Sequence, residues 1–269
     1  MTWLAEAAEW LAGGQPHPPC AAGHTHHATV SLTVSGSHAV PDWPVLPPVW
    51  FRLDVFAADA YEGVDGYCPA DSEVSRGLLA HGVWEGFESA LALAILDADK
   101  NRDSVVLDFG ANVGWYSMLA ASRGFDVLAV EADLTIAAVC EHNLARWADD
   151  GLHVCRGWIG SDTHPLTPGP RVRLAKVDLE GAEAEAVRVL EPLLATGLVD
   201  YLLVEVTPVF GDGAYEAVNL LERHGYQGFV IPDKGADPCV FAADPLAATL
   251  AQPLGVMDFG QANVLWCRM

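Results

Sequence analysis

Asp108, Gly110, Asn112 and Gly114 punctuate the segment Val105-Val-Leu-Asp-Phe-Gly-Ala-Asn-Val-Gly-Trp-Tyr-Ser117, and Glu131 closes the next apolar run, about 20 residues further on. Val105 to Leu107 read as a buried strand that delivers Asp108 at its carboxyl end. Gly110 and Gly114 let the backbone turn tightly and approach a ligand before a helix starts near Trp115, whose first N–H groups can face an anion. A dinucleotide-binding turn would carry glycine where Asn112 stands, and a P-loop would continue into Gly-Lys-Ser/Thr. Neither pattern is met. An acid at the end of the second strand is placed to accept hydrogen bonds from ribose hydroxyls. The set describes a nucleoside site without provision for a diphosphate.

S-Adenosylmethionine (SAM) meets those requirements. Its ammonium and sulfonium are cationic and suit an acidic rim, and its carboxylate can meet N–H groups at the helix start. Several of these residues also have a purely structural reading. Asp108 either binds the methionyl end of the cofactor or caps the turn, and Asn112 either contacts the ligand or serves by tolerating a left-handed backbone. Glu85 is a further cofactor candidate whose alternative is a favourable first-turn charge on its own helix.

Transfer to an alcohol also needs a base within hydrogen-bond reach of the acceptor. Asp178 ends a strand on the same rim as Asp108 and is the first candidate; His81, four residues before Glu85, is the second. Glu180 and Glu183 read as N-terminal charges on the next helix, and Glu205 lies on the neighbouring strand. Carboxylates at adjacent strand ends supply oxygen ligands for Mg²⁺ but show no diagnostic spacing, so a divalent metal is chemically allowed and not predicted. Cys20, His24, His26 and His27 are the most metal-like cluster in the chain. They lack the second half of a structural zinc site and read as a solvated loop. His142 and His164 have no assigned role. Trp84, Trp115, Tyr116 and Trp158 either line a pocket or complete the core.

The elements that must hold these residues come from hydrophobic periodicity. Strands are expected at Ser104–Asp108, Asp126–Glu131, His153–Gly157, Val172–Asp178, Tyr201–Val206, Phe229–Ile231 and Ala262–Cys267. Helices are expected at Glu85–Ala98, Trp115–Ser122, Asp133–Ala148, Ala182–Ala195 and Ala214–His224. Strands alternating with helices predict a parallel sheet with crossover helices. The first eighty residues are less regular and proline-containing, yet Val30, Leu32 and Val34, then Phe51, Leu53 and Val55, alternate with polar residues. They predict short strands of an N-terminal appendage, which either covers an edge of the main sheet or caps a substrate pocket. Met1 to Leu11 read as a short amphipathic helix. The division expected is residues 1–80 as extension or cap and 81–269 as the catalytic domain.

Hydrophobic residues make up 51% of the 269 and charged residues 19%, a globular composition. No apolar run approaches the roughly 18 residues that span a bilayer. Thirty-six acidic against fourteen basic residues give a formal charge of −22, which disfavours phosphate backbones and anionic membranes as partners. The six cysteines show no paired spacing and read as reduced thiols of a cytoplasmic protein.

The ordered segments Asp108-Phe-Gly-Ala-Asn-Val-Gly-Trp-Tyr-Ser117, Val130-Glu131-Ala-Asp133, Lys176-Val-Asp-Leu-Glu-Gly-Ala-Glu183 and Val204-Glu-Val206, preceded by Gly82-Val-Trp-Glu85, resemble the successive motifs of FkbM-type SAM-dependent methyltransferases. The resemblance covers roughly Asp71 to Met269. It implies a seven-stranded, Rossmann-like class I methyltransferase sheet with the last strand antiparallel, and methyl transfer to a hydroxyl oxygen of a small molecule or sugar. The chain departs from the family at Ala132 and Leu134, where proline or aspartate is common, and residues 1 to about 50 have no counterpart in it. The functional expectation is a SAM-dependent O-methyltransferase acting on a small-molecule hydroxyl acceptor, with S-adenosylhomocysteine as product. The alternatives are an N- or carboxyl-methyltransferase, an NAD-dependent oxidoreductase, disfavoured by Asn112, and a non-catalytic module that keeps the fold for binding or assembly.

Overall fold

The computed structural model describes residues 3–12, 29–36, 42–56, 72–99, 103–147, 151–208, 211–232, 238–255 and 261–269. The chain opens with helix α1 (Trp3–Ala12) and a pair of antiparallel strands, β1 (Thr29–Gly36) and β2 (Val49–Phe56), which form a sheet of their own. Helices α2 (Ser72–His81) and α3 (Gly86–Ala98) follow. The alternating part then runs β3 (Val105–Phe109), α4 (Trp115–Ala121), β4 (Asp126–Glu131), α5 (Leu134–Leu144), β5 (Leu152–Arg156), β6 (Val172–Val177), α6 (Glu183–Thr196), β7 (Val199–Val206), α7 (Gly213–Arg223), β8 (Gln227–Val230), α8 (Pro238–Ala243), α9 (Pro245–Leu250) and β9 (Ala262–Cys267).

The main sheet has seven strands in the order β5-β4-β3-β6-β7-β9-β8. β5 to β7 pair in parallel, and β9 inserts between β7 and β8, antiparallel to both. This is the Rossmann-like class I methyltransferase sheet that the resemblance implied. The strand order reverses at β3: β4 and β5 are laid down on one side, β6 and β7 on the other. Open α/β sheets take their ligands at such a reversal, beyond the carboxyl ends of the flanking strands, here β3, β4 and β6.

Burial on both faces explains why the central strands are apolar almost throughout. Successive β3 side chains alternate between two cores: Val106 joins the layer of α3, α4 and α5, whereas Val105, Leu107 and Phe109 join the layer of α1, α6 and α7. The β1–β2 pair packs on the first of these layers, with Val34, Val49, Phe51, Leu53, Val55 and Phe56 inside the same core as α3 and α4. Asn143 of α5 stitches it there. Its Oδ1 accepts from Asp54 N at 2.6 Å, and its Nδ2 donates to Asp54 O at 2.9 Å and to Val113 O at 2.8 Å. The expected N-terminal strands are thus present, and they are bonded to the loop that follows β3.

Three helices lie outside the sequence expectation. The α2 sequence has little apolar content and a central Gly77, which fits because a Cβ there would meet the Trp84 ring at 2.8 Å. The short α8 and α9 each begin with proline, and Asp244 caps α9 by accepting from Ala247 N. Helix α5 stops at Leu144 and tightens into a 3₁₀ turn over Ala145–Trp147, and β7 starts two residues earlier than periodicity placed it. No helix among the described residues is long and apolar enough to cross a membrane.

Candidate active site

The loop after β3 crosses over the end of β4, with Gly110 N and Ala111 N both donating to Val130 O at 2.9 and 3.0 Å. Gly110 has φ +83°, and a Cβ on it would stand 1.8 Å from the carbonyl oxygen of Asp178. That close approach admits only glycine and brings the end of β6 against the turn. Asn112 is left-handed at φ +51°, as its turn reading required, and its Oδ1 accepts from Val113 N. Gly114, at φ +92°, caps α4 without a side chain.

The missing side-chain cap is supplied from the strand. Asp108 Oδ2 accepts from Ser117 N at 2.9 Å and from Ser117 Oγ at 2.6 Å. Burial pushes the Asp108 carboxyl up to about 6, with the Ser117 hydrogen bonds and Lys176 pulling the other way. The structural reading of Asp108 is therefore observed, at the same strand end where a cofactor role was expected. Glu131 ties the turn to the next unit: its Oε2 accepts from Asn112 N at 2.9 Å and its Oε1 from Asp133 N at 2.8 Å. The Ala132 N–H also faces this carboxylate, which keeps acceptor capacity for a hydroxyl donor. Asp133 in turn caps α5 through Thr135 N and Ile136 N.

A second group of polar residues gathers beyond β6 and β7. Lys176, buried at the end of β6, places Nζ 2.9 Å from Asp178 Oδ2, 4.0 Å from Glu85 Oε2 and 5.2 Å from the centroid of the Tyr116 ring. Tyr116 donates its hydroxyl to the same Glu85 oxygen at 2.6 Å. Glu85 is the left-handed N-cap residue of α3, at φ 43°, and its side chain is aimed into this group instead of capping the helix. Gln261 Nε2 donates to Glu205 Oε1, and Asn263 Nδ2 donates to Glu88 Oε1 at 3.0 Å.

Burial opposes every charge in this group, and the partners decide where charge survives. Burial alone would lower Lys176, but Asp178, Glu85 and Glu205 together hold it above the ordinary lysine range. Burial would raise Asp178, yet the Lys176 ammonium and a hydrogen bond with Glu205 keep it below the usual aspartate value. Glu205 is pushed up to about 9 by burial and by Asp178, and Glu88 to about 7 by burial and by Glu85.

Oxygens of Asp178, Glu180 and Glu205 lie within 4.8 Å of one another, a spacing open to a divalent cation. The Lys176 ammonium already occupies the cationic position beside Asp178, so the donor set does not favour a metal there.

Of the residues singled out in the sequence, the structure brings Asp108, Gly110, Asn112, Gly114 and Glu131 into one hydrogen-bonded turn, and joins Glu85 with Asp178 through Lys176. His81 is placed differently. It ends α2, exposed, with its ring 5.8 Å from that of Trp43. Trp115 belongs to the core, edge-on to Phe51 and donating to Ser89 Oγ, whereas Trp158 is largely exposed. Cys20, His24, His26 and His27 lie outside the described residues. Lys176 and Asn263 were missed. A lysine near the end of β6, a buried strand whose only other charge is Arg173 at its start, was a readable signal for the first; the second depends on β9 lying against β7.

The sequence matches no family model and no curated protein. Solved structures similar to this chain include a TehB-like SAM-dependent methyltransferase from Corynebacterium glutamicum, at 16% identity over 74% of this chain and 96% of that one, with TM-score 0.47. Magnesium protoporphyrin IX methyltransferase from Synechocystis with bound SAM aligns at 14% identity over 77% of this chain and 87% of that one, TM-score 0.42. An rRNA methylase from Streptococcus thermophilus aligns at 14% identity over 68% and 95%, TM-score 0.44.

Proposed function

We propose that this protein is a SAM-dependent methyltransferase of the FkbM type that methylates a hydroxyl oxygen of a small molecule or sugar-containing metabolite in the cytoplasm. The observation that carries the reading is the turn of Gly110 to Gly114, bonded through Asn112 N to Glu131 at the point where the strand order reverses. The residues fit the cofactor. Gly110, lacking a Cβ, lets the end of β6 close against the turn, Glu131 retains acceptor capacity for ribose hydroxyls, and the acidic rim of Glu85 and Asp108 suits a cationic methionyl end.

SAM would supply a methyl group on a positively charged sulfur, which is already an activated leaving group. What remains for the protein is orientation, exclusion of water and removal of the acceptor's proton. Asp178 is the first candidate for that proton because its main chain abuts the Gly110 turn and the Lys176 ammonium on its carboxylate favours the ionised form; His81, exposed beside Trp43, is the second. Residues 81–269 would form the catalytic domain, and residues 1–80 an extension or cap that shapes the acceptor pocket.

Titration calorimetry of the purified protein with SAM, S-adenosylhomocysteine and NAD tests the cofactor. Both SAM-related ligands are expected to bind, NAD is not, and Glu131→Ala should weaken binding at least about tenfold through loss of the ribose contacts. A folded protein that binds NAD and not SAM would overturn the reading.

A further inference from the structure

Asp178 and Glu205 end adjacent parallel strands, and their carboxyl oxygens lie within 4.8 Å of each other. Two carboxylates held that close repel, and neither has a proton to give the other. Fully ionised, Glu205 would also keep Oε2 buried with no partner, in a residue that is 5% exposed. One proton on the pair removes both difficulties. Which of the two carries it is decided by the neighbours, and these are asymmetric. Asp178 receives the Lys176 ammonium on Oδ2 at 2.9 Å, while Glu205 receives only the neutral amide of Gln261. Among the described residues, the remaining groups around the pair are Glu85, the N-cap of α3, Glu88 from α3, Tyr116 from α4, Glu180 from the loop after β6 and Asn263 from β9. None of them is a second cation.

We propose that Lys176 is a positioning residue which polarises the Asp178–Glu205 carboxyl pair, holding its single proton on Glu205 and its negative charge on Asp178, so that Asp178 is the group ready to receive the acceptor's proton. The inference rests on the methyl-transfer reading for its last clause only. In that step the acceptor oxygen forms a bond to the methyl carbon as the carbon–sulfur bond breaks, its electron pair stays on sulfur, and the hydroxyl proton passes to Asp178. The pair then holds two protons and no charge. Lys176 also fixes the direction of Asp178, because the same ammonium is drawn toward Glu85, whose Oε2 is bonded to Tyr116. Of the groups assigned to the cofactor, its ammonium acts on Glu85 and also on Asp108, its register partner across β3 and β6.

The test is a pH titration of the full chain, ¹³C-labelled at aspartate and glutamate carboxyls and followed by NMR, with Asp178→Asn and Glu205→Gln assigning the two resonances. In the unsubstituted protein Asp178 should be ionised and Glu205 protonated at pH 7. Lys176→Met should raise the Asp178 midpoint by about 1–3 pH units, the usual effect of removing an adjacent opposite charge. Lys176→Arg should restore it. A proton found on Asp178 in the unsubstituted protein overturns the proposal, whether or not Lys176→Met folds. So does an Asp178 midpoint unmoved by a folded Lys176→Met, even if the variant melts lower, and so does a shift of both resonances on adding MgCl₂, which would put a cation where the proton is assigned. Calorimetry with SAM on the same sample separates the two readings: absence of binding removes the methyltransferase assignment and leaves the proton placement to the NMR result.

Discussion

Gly110 and Glu205 are the two positions where single side chains have the clearest consequences. An alanine at Gly110 would suffer the left-handed backbone, which costs about 1–3 kcal/mol, and would also drive its Cβ into the Asp178 carbonyl. Gly110→Ala should therefore lower stability by more than that range, or displace β6 from the turn and abolish SAM binding; thermal melting and calorimetry on one sample read both. At Glu205 the prediction concerns pH. The group ionises near 4.5 when unperturbed and near 9 in the fold, so the native state binds its proton more tightly. Its stabilising contribution is complete below about pH 4.5 and is lost as pH rises through about 9. Glu205→Gln cannot ionise. Its melting temperature relative to the unsubstituted protein should rise steadily between pH 5 and pH 9 and level off above; a difference that is flat with pH would refute the shift. Asp108 and Glu88 act in the same direction over lower windows, ending near 6 and 7.

At the scale of elements, the turn is built by borrowed caps. Helix α4 takes its cap from Asp108 on the preceding strand, and α5 takes Asp133 from the residue just before it. The second is an ordinary cap, and Asp133→Ala should cost about 1 kcal/mol. Asn143 matters more, because it joins α5, the Asp54 backbone of β2 and the Val113 carbonyl in the loop before α4. Asn143→Ala would remove three hydrogen bonds from those buried groups, for a loss of about 2–4 kcal/mol. Amide exchange should show protection lost together at residues 54 and 113–117. The β1–β2 pair shares its core with α3 and α4, so melting followed by tryptophan fluorescence and by far-UV circular dichroism should coincide.

For the molecule as a whole the dominant quantity is charge. A formal −22 on 269 residues means that the compact state carries self-repulsion in addition to the local carboxylate cluster. Raising KCl from about 0.05 M to about 1 M shortens the Debye length from about 14 Å to about 3 Å and should raise the melting temperature. A melting temperature that falls with salt would point instead to stabilising ion pairs such as Arg173–Asp200 and Arg146–Asp54 outweighing the repulsion.

By itself the sequence determined the succession of strands from β3 onward, the helices α4 to α7 between them and the contents of the turn, because those depend on local periodicity and on backbone conformations that few residues tolerate. Gly110, Asn112 and Gly114 all occupy left-handed backbone, and Glu131 meets Asn112 because parallel neighbours β3 and β4 end in register. The alternation around Val30 to Val34 and Phe51 to Val55 likewise contained the β1–β2 pair. Low apolar content hid α2, and shortness hid α8 and α9. Only the tertiary structure decided the second half of the site. Glu85, Tyr116, Lys176, Glu205 and Asn263 come from different elements and meet because β6 crosses to the far side of β3 and β9 inserts beside β7. A charge read along one strand looks like a surface residue or a defect; sheet order and burial made Lys176 the centre of a polar cluster, since a buried ammonium is tolerated only where several distant carboxylates converge on it.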